Sequence, residues 1–223
     1  MRRSLSEKTS IKDVIEACGV PHPEVDLILC DGVPVGFAHQ LTRDASVEVY
    51  PVGGTADLFA TERLQLREVT AFVVDGHLGT LARDLRHLGL DVAYASMVAD
   101  EELIAVSVSQ NRALLTRDRR LLMHAAVRHG YSPRSQLAEE QTLEVLCRFD
   151  VRQLLKPYSR CVRCNGLLAT VEKSSVIDQL EPLTRLYYYD FRKCDGCGAV
   201  YWPGSHFAKL QARIDRIKAA AGW

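Results

Sequence analysis

Three carboxylates in this chain stand where α/β proteins do chemistry. Asp75 ends the apolar run "VTAFVVD", Asp118 ends "RALLTRD", and Asp100 opens "DEELIAVSVSQN" between them. Two runs with the character of buried strands thus stop on an aspartate, and the third acid starts the intervening helix. In a parallel sheet, ligands bind outside the carboxyl ends of the strands, so all three acids are expected on one rim. Like charges gathered there are costly unless a cation neutralises them. Mg²⁺ and Mn²⁺ suit such hard oxygens, and in that setting they activate water and stabilise displacement at a phosphodiester. A plainer reading stands beside this one. Asp100, with Glu101 and Glu102, also suits a helix N-cap and first turn, and Asp75 and Asp118 suit turns.

Arginines crowd the same places. Arg117, Arg119 and Arg120 surround Asp118, and Arg83 and Arg86 lie one turn apart on the flank of "GHLGTLARDLRHLG", close to Asp75 in the chain. A guanidinium grips phosphate oxygens in a two-pronged fashion, so these five are candidate phosphate contacts. Salt bridges to the nearby acids are the competing explanation.

A second cluster is made of sulfur. Cys161-x-x-Cys164 and Cys194-x-x-Cys197 are the spacing of two thiolate knuckles, which together offer the four ligands of a structural Zn²⁺ site. Gly166, Gly196 and Gly198 supply tight turns around them. Four cysteines leave no open coordination position, so a structural role is expected and His206 is not needed as a ligand. Cys18, Cys30 and Cys147 lie in apolar surroundings and read as small buried hydrophobes. Cysteine usage of this kind points to a reducing, cytoplasmic setting.

The elements that would position these groups follow from hydrophobic periodicity. "SIKDVIEACG" is spaced as a helix stopped at Gly19. "VDLILCDGVPVGF" reads as two strands about an Asp31-Gly32 turn, and "ASVEVYPVGG" as another strand. These form a small α+β unit over residues 1–67. From 69 to 150, strands "VTAFVVD", "DVAYA" and "RALLTRD" alternate with helices, the clearest being "AEEQTLEVLCRF". That alternation predicts an α/β domain with a parallel sheet flanked by helices. Leu78, Leu81, Ala82, Leu85 and Leu88 form the core stripe of its first helix. Residues 151–223 hold the cysteine pairs and finish in an amphipathic helix with Phe207, Leu210, Ile214 and Ile217 on one side.

Overall composition is ordinary, with 47% hydrophobic and 25% charged residues and a net charge of +0. Its distribution is not. Residues 1–68 carry 7 basic and 11 acidic side chains (net −4), residues 69–150 carry 9 and 11 (net −2), and residues 151–223 carry 12 and 6 (net +6). A basic end of this kind suggests an anion-binding surface. Arg160, Arg163, Arg192 and Lys193 lie among Tyr187, Tyr188, Tyr189, Tyr201 and Trp202, a combination suited to RNA phosphates and bases. The aromatic residues equally suit a small internal core. The start of the chain lacks a secretory pattern, and no run approaches the roughly 18 apolar residues of a membrane span.

The motifs carry two resemblances. "EVDLILCDGVPV" and "SVEVYPVGG" resemble ubiquitin-like β-grasp domains related to sulfur carriers. Because Gly53-Gly54 lies mid-chain, an accessory domain with a possible protein partner is implied rather than a carrier. "FVVDGHLGTLARDLRHLGLDVAYA", "DEELIAVSVSQNRALLTRDRRL" and the double C-x-x-C with "YWPGSH" are similar to the Mut-seven C-terminal ribonuclease family, over residues 70 to about 210. That family is a branch of the PIN-like nucleases. The resemblance implies a PIN-like domain with Asp75, Asp100 and Asp118 as catalytic metal-binding acids and Glu101 as an accessory. It also implies a C-terminal zinc ribbon and RNA as substrate. Many PIN nucleases carry a further acid between the first two strands, where only Asp84 and Asp91 are available here. The second reading is therefore an RNA-binding protein, for tRNA or another structured RNA, whose nuclease site is inactive.

Overall fold

Turn-forming residues interrupt the first 52 positions every few residues, and the strands they leave are short. The computed structural model describes residues 4, 8–52, 59–65, 69–205 and 207–222. Strand β1 (Thr9–Ser10) runs straight into helix α1 (Ile11–Ala17), because the Ser10 side chain accepts the Asp13 N–H and caps it. Strands β2 (Val25–Cys30), β3 (Val33–Pro34), β4 (Gln40–Leu41) and β5 (Val47–Pro51) follow. β2 is central, antiparallel to β3 and β5, and β1 pairs with β4. Asp31 and Gly32 turn the β2–β3 hairpin with φ of 50° and 79°, the left-handed pair that a two-residue hairpin loop needs. Ile11, Ile15, Val25 and Ile28 form the core of this unit. Gly53-Gly54 lies outside the described residues.

The second unit alternates strand and helix. Its elements are β6 (Ala71–Val74), α2 (Gly79–His87), β7 (Asp91–Tyr94), α3 (Asp100–Ser109), β8 (Ala113–Leu115), α4 (Arg119–Leu122), β9 (Gly130–Tyr131) and α5 (Ala138–Phe149). All four strands are parallel, in the order β7-β6-β8-β9. Side chains alternate across such a sheet. Phe72 and Val74 face α2 and α5, while Val73 and Leu114 face α3 and α4. The apolar run of β6 is continuous because helices cover both faces.

The third segment is not self-contained. Strands β10 (Leu168–Val171), β11 (Phe191–Cys194) and β12 (Val200–Tyr201) make a small antiparallel sheet, with helix α6 (Pro182–Tyr187) between β10 and β11. Val176, Leu180 and Phe191 are its core. The last helix is α7 (Phe207–Ala220), which the sequence assigns to the same segment as the cysteine pairs. Its buried Ile214 and Ile217 instead join the core beside α2 and α5. Arg213 bonds Asp84 on α2, and Arg216 bonds Glu139 on α5. The ribbon is thus an excursion between two helices of the same α/β core.

Both edge strands of the sheet are covered. On β9, Glu24 accepts the Ser132 N–H (2.8 Å) and pairs with Arg134, while Arg148 donates to Pro23 O (2.9 Å). The segment leading into β2 therefore seats the N-terminal unit there. On β7, Val92 N donates to Asn165 Oδ1 (3.0 Å), and Val92 O accepts from Arg86. The first cysteine knuckle therefore closes that edge. Cys18 and Cys147 are exposed, contrary to the buried positions expected for them, while Cys30 is half-buried against the core of the N-terminal unit. Cys18 follows the end of α1 and faces water.

Candidate active site and metal centre

The acid rim starts with a threonine. Thr116 is fully buried at the end of β8. Its hydroxyl donates to Asp75 Oδ2 (2.6 Å) and accepts the Asp118 N–H (3.0 Å). One side chain therefore ties the aspartates that follow two neighbouring strands. The Asp75 N–H donates to Leu115 O (3.0 Å), extending the ladder by one bond before the chain turns. Asp118 Oδ1 accepts the N–H groups of Arg120 (2.7 Å) and Leu121 (3.3 Å), capping α4. Asp100 and Glu101 project exposed from the first turn of α3. The N-cap of that helix is Ala99, so Asp100 does not serve as the cap.

Among the described residues, none of Asp75, Asp100, Glu101 or Asp118 is in a salt bridge. The arginines near them are engaged elsewhere or open to water. Arg117 donates to Gln136 (2.6 Å), Arg119 reaches Gly19 O (3.5 Å), and the exposed Arg83 side chain makes no hydrogen bond among the described residues. Arg86 departs from the flank expected for it. It is buried, and its guanidinium bonds the carbonyls of Val92, Val162 and Arg163. Its role is to hold the knuckle to the sheet, and it leaves the set of RNA contacts. Asp84 and Asp91 do not reach the rim. Asp84 is buried under α7 against Arg213, and Asp91 opens β7 at the far end of the sheet, paired with Arg112 and Arg160. Burial pushes the Asp91 carboxyl up, but Arg112, Asn165 and Arg160 together hold it below the ordinary carboxylate value.

Beside Asp75 lies a groove of ≈ 430 Å³, running from Gly76 to Arg83 on one wall and over Arg117, Gln136, Ala138 and Gln141 on the other. It holds two arginines and no carboxylate.

The cysteine cluster is the one place, among the described residues, where three or more His, Cys, Asp or Glu ligand atoms come within 4.8 Å of one another. The three aspartates are not drawn that close. Cys161 Sγ lies 3.6 Å from Cys197 Sγ, and Cys164 Sγ lies 3.4 Å from Cys194 Sγ. A tetrahedral Zn–S₄ centre has an S–S edge of about 3.8 Å, so the four thiols fit that ion. Burial pushes the Cys161 thiol up, but hydrogen bonds from Tyr201 and from the N–H groups of Cys164 and Arg163 bring it to about 6. Of the basic residues expected at RNA here, Arg163 is exposed and Lys193 half-buried. Arg192 is exposed and donates to Tyr158 O (2.6 Å). Arg160 bonds Asp91 and Asn165 O, which places it in the seam with the sheet. Tyr187, Tyr189 and Trp202 are exposed, while Tyr188 and Tyr201 are half-buried. His206 lies outside the described residues.

A family model described as the Mut7-C RNAse domain matches residues 70–214. The chain belongs to the Mut7-C RNAse domain family. A second model, Mut7-C ubiquitin, matches residues 1–57, so the N-terminal unit is ubiquitin-like. No curated relative and no solved structure matches the chain. The Mut7-C RNAse match takes in the start of α7, in keeping with the place of that helix in the α/β core. It makes the chain a ribonuclease-domain protein with RNA as the substrate class. No helix among the described residues is long and apolar enough to cross a membrane. Sequence reasoning missed Thr116, Asn165 and Glu24. Thr116 stands inside the quoted "LLTRD", where a hydroxyl between an apolar strand and a rim acid was the available signal. Asn165 and Glu24 act on distant partners and had none.

Proposed function

We propose that this Mut7-C RNAse protein is a metal-dependent ribonuclease of PIN-like architecture, hydrolysing phosphodiester bonds at Asp75, Asp100 and Asp118 with Glu101 as an accessory. The observation that carries this is the Thr116 bridge. A buried hydroxyl holds the Asp75 carboxylate and the Asp118 backbone N–H, tying together the acids that follow two neighbouring strands, and among the described residues no arginine forms a salt bridge with either. Mg²⁺ or Mn²⁺ fits such a set, because Mg²⁺ is held by one or two carboxylates plus substrate phosphates and keeps several waters. A closed cage of three carboxylates within 4.8 Å is therefore not required. Asp75 and Asp118 would hold the ion, with Asp100 and Glu101 contributing from α3. When bound, it supplies a water of lowered pKa and charge stabilisation at the phosphate. Thr116 keeps Asp75 oriented, and the N–H groups of Arg120 and Leu121 fix Asp118. Arg83, Arg117 and Arg119 lie near the rim as candidates for the RNA backbone, while Arg163, Arg192 and Lys193 offer a second basic surface around a structural Zn²⁺ at Cys161, Cys164, Cys194 and Cys197.

A second reading rests on Asp84 and Asp91. Both are committed to ion pairs away from the rim, so neither supplies a fourth acid there. On that reading the protein binds tRNA or another structured RNA without cutting it. Purified protein with cellular RNA, with and without Mn²⁺, separates the two. Cleavage that requires the ion and is abolished in Asp75→Asn and Asp118→Asn, with RNA affinity nearly unchanged, is the expected result. Absence of cleavage with any divalent ion, alongside retained binding, would establish the binder.

A further inference from the structure

The groove beside Asp75 has the composition of a receptor for an anion that is also flat and small. Its lining holds Arg83, Arg117, Gln136 and the half-buried Tyr94, with the backbone of Gly76 and Gly79 between them and no acid. Directly next to it in the chain, Asp75 carries the unneutralised carboxylate of the rim. Arg117 of the groove directly precedes Asp118 in the chain, and the groove wall begins at Gly76 directly after Asp75, so basic and acidic side chains adjoin, which is the field that brings a polyanion to an acidic site.

The groove's shape is set by close backbone approach. A Cβ on Gly76 would fall 2.6 Å from Ser96 O, and one on Gly79 would fall 2.5 Å from the Tyr94 hydroxyl. The Tyr94 hydroxyl donates to Gly76 O (3.1 Å), pinning the ring against this turn. Arg117 is steadied by Gln136, and Arg83 is the one lining cation left in water without a hydrogen bond among the described residues. At ≈ 430 Å³ the space falls in the size range of small-ligand sites, roughly 300–1,000 Å³. It suits one nucleotide and not the width of a helix.

We infer that this groove seats one unpaired nucleotide of the RNA next to the scissile bond, with Arg83 and Arg117 on its phosphate and Tyr94 beside its base, so that the substrate is single-stranded. Unstacked bases are what proteins read in RNA, by aromatic contact and polar groups, whereas duplex is read by shape. The inference rests on the ribonuclease reading for the identity of the bond cut, but not for the binding itself.

The test is fluorescence anisotropy on the full chain with labelled oligo(U), free or annealed to oligo(A), without added divalent ion. The single strand should bind the parent on the order of tenfold more tightly than the duplex. Arg83→Ala/Arg117→Ala should lose on the order of tenfold or more in single-strand affinity, and its log–log salt slope should flatten by about 1.4, for two phosphate contacts at about 0.7 each. The Arg83→Lys/Arg117→Lys pair should restore the slope but not the full affinity, since an ammonium lacks the planar fork. Unchanged affinity in the alanine pair, or equal binding of duplex and single strand by the parent, overturns the inference. A lysine pair that restores nothing also overturns it. The ribonuclease reading fails by a different result, absence of Mn²⁺-dependent cleavage by the parent, which leaves the binding data intact.

Discussion

Thr116 is the residue on which the rim depends. Its hydroxyl is both donor and acceptor, and it is fully buried, so no water can replace it. Thr116→Val keeps the shape but leaves an Asp75 oxygen and the Asp118 N–H without their partner. Each such loss costs about 1–3 kcal/mol. Cleavage should fall by at least about tenfold, each 1.4 kcal/mol being a factor of ten. Thr116→Ser keeps the hydroxyl and should retain most of the activity. Initial rates at saturating Mn²⁺, with urea midpoints for stability, check this. A valine variant as active as the parent would remove the bridge from the mechanism.

At the scale of elements, α2 and α7 share a buried electrostatic patch with opposing pH responses. Burial, against the pull of Arg213, pushes the Asp84 carboxyl up from 3.8 to about 6. Burial, together with Arg83 and Arg213, pushes His87 down from 6.5 to about 4. Between pH 3.8 and about 6 the native state keeps a proton on Asp84 that the unfolded chain has released. Its contribution to stability therefore falls as pH rises through that window. Between 6.5 and about 4 the unfolded chain takes a proton on His87 that the native state refuses, so that contribution falls as pH drops. The two offset each other over most of the range. His87→Gln removes one of them, and its urea midpoint should decline as pH rises from 4 to 6 relative to the parent. Asp84→Asn should show the reverse slope, by up to about 1.4 kcal/mol per pH unit. Parallel pH curves for all three proteins would show that neither group titrates differently on folding.

At the scale of the whole molecule, the cysteine cluster and the sheet are one mechanical unit. The knuckle around Cys161 and Cys164 presents Asn165 to the Val92 N–H and carbonyls to Arg86. Elemental analysis should find one Zn²⁺ per chain, and its removal by chelation or by Cys161→Ser should loosen more than the ribbon, because small modules of this kind draw folding energy from the metal. Amide exchange at Val92 should accelerate along with exchange in β10 and β11, while β9, sealed by Glu24, stays protected. Loss of zinc with unchanged Val92 exchange would show that the knuckle holds its shape without the ion.

The chain alone determined the order of elements, because apolar periodicity is local. The strands ending near Asp75 and Asp118, the helix "AEEQTLEVLCRF" over residues 138–149 and the two cysteine knuckles all lie where their patterns predict them. Asp75 and Asp118 directly follow two neighbouring parallel strands and are tied through Thr116, and Asp100 opens the helix α3. What the chain alone could not determine is which charged side chain meets which partner. Arg83 and Arg86 read alike as a flank pair, yet one faces water and the other is buried against three carbonyls. The difference is set by β7 and the knuckle, with Val162 lying 76 positions away in the chain. In the same way α7 reads as the end of a basic ribbon but buries Ile214 and Ile217 against α2 and α5, since its apolar stripe gains more from that large core than from a three-residue one. Periodicity specifies that a face will be buried, and only the tertiary structure decides against what, because the hydrophobic effect has no direction.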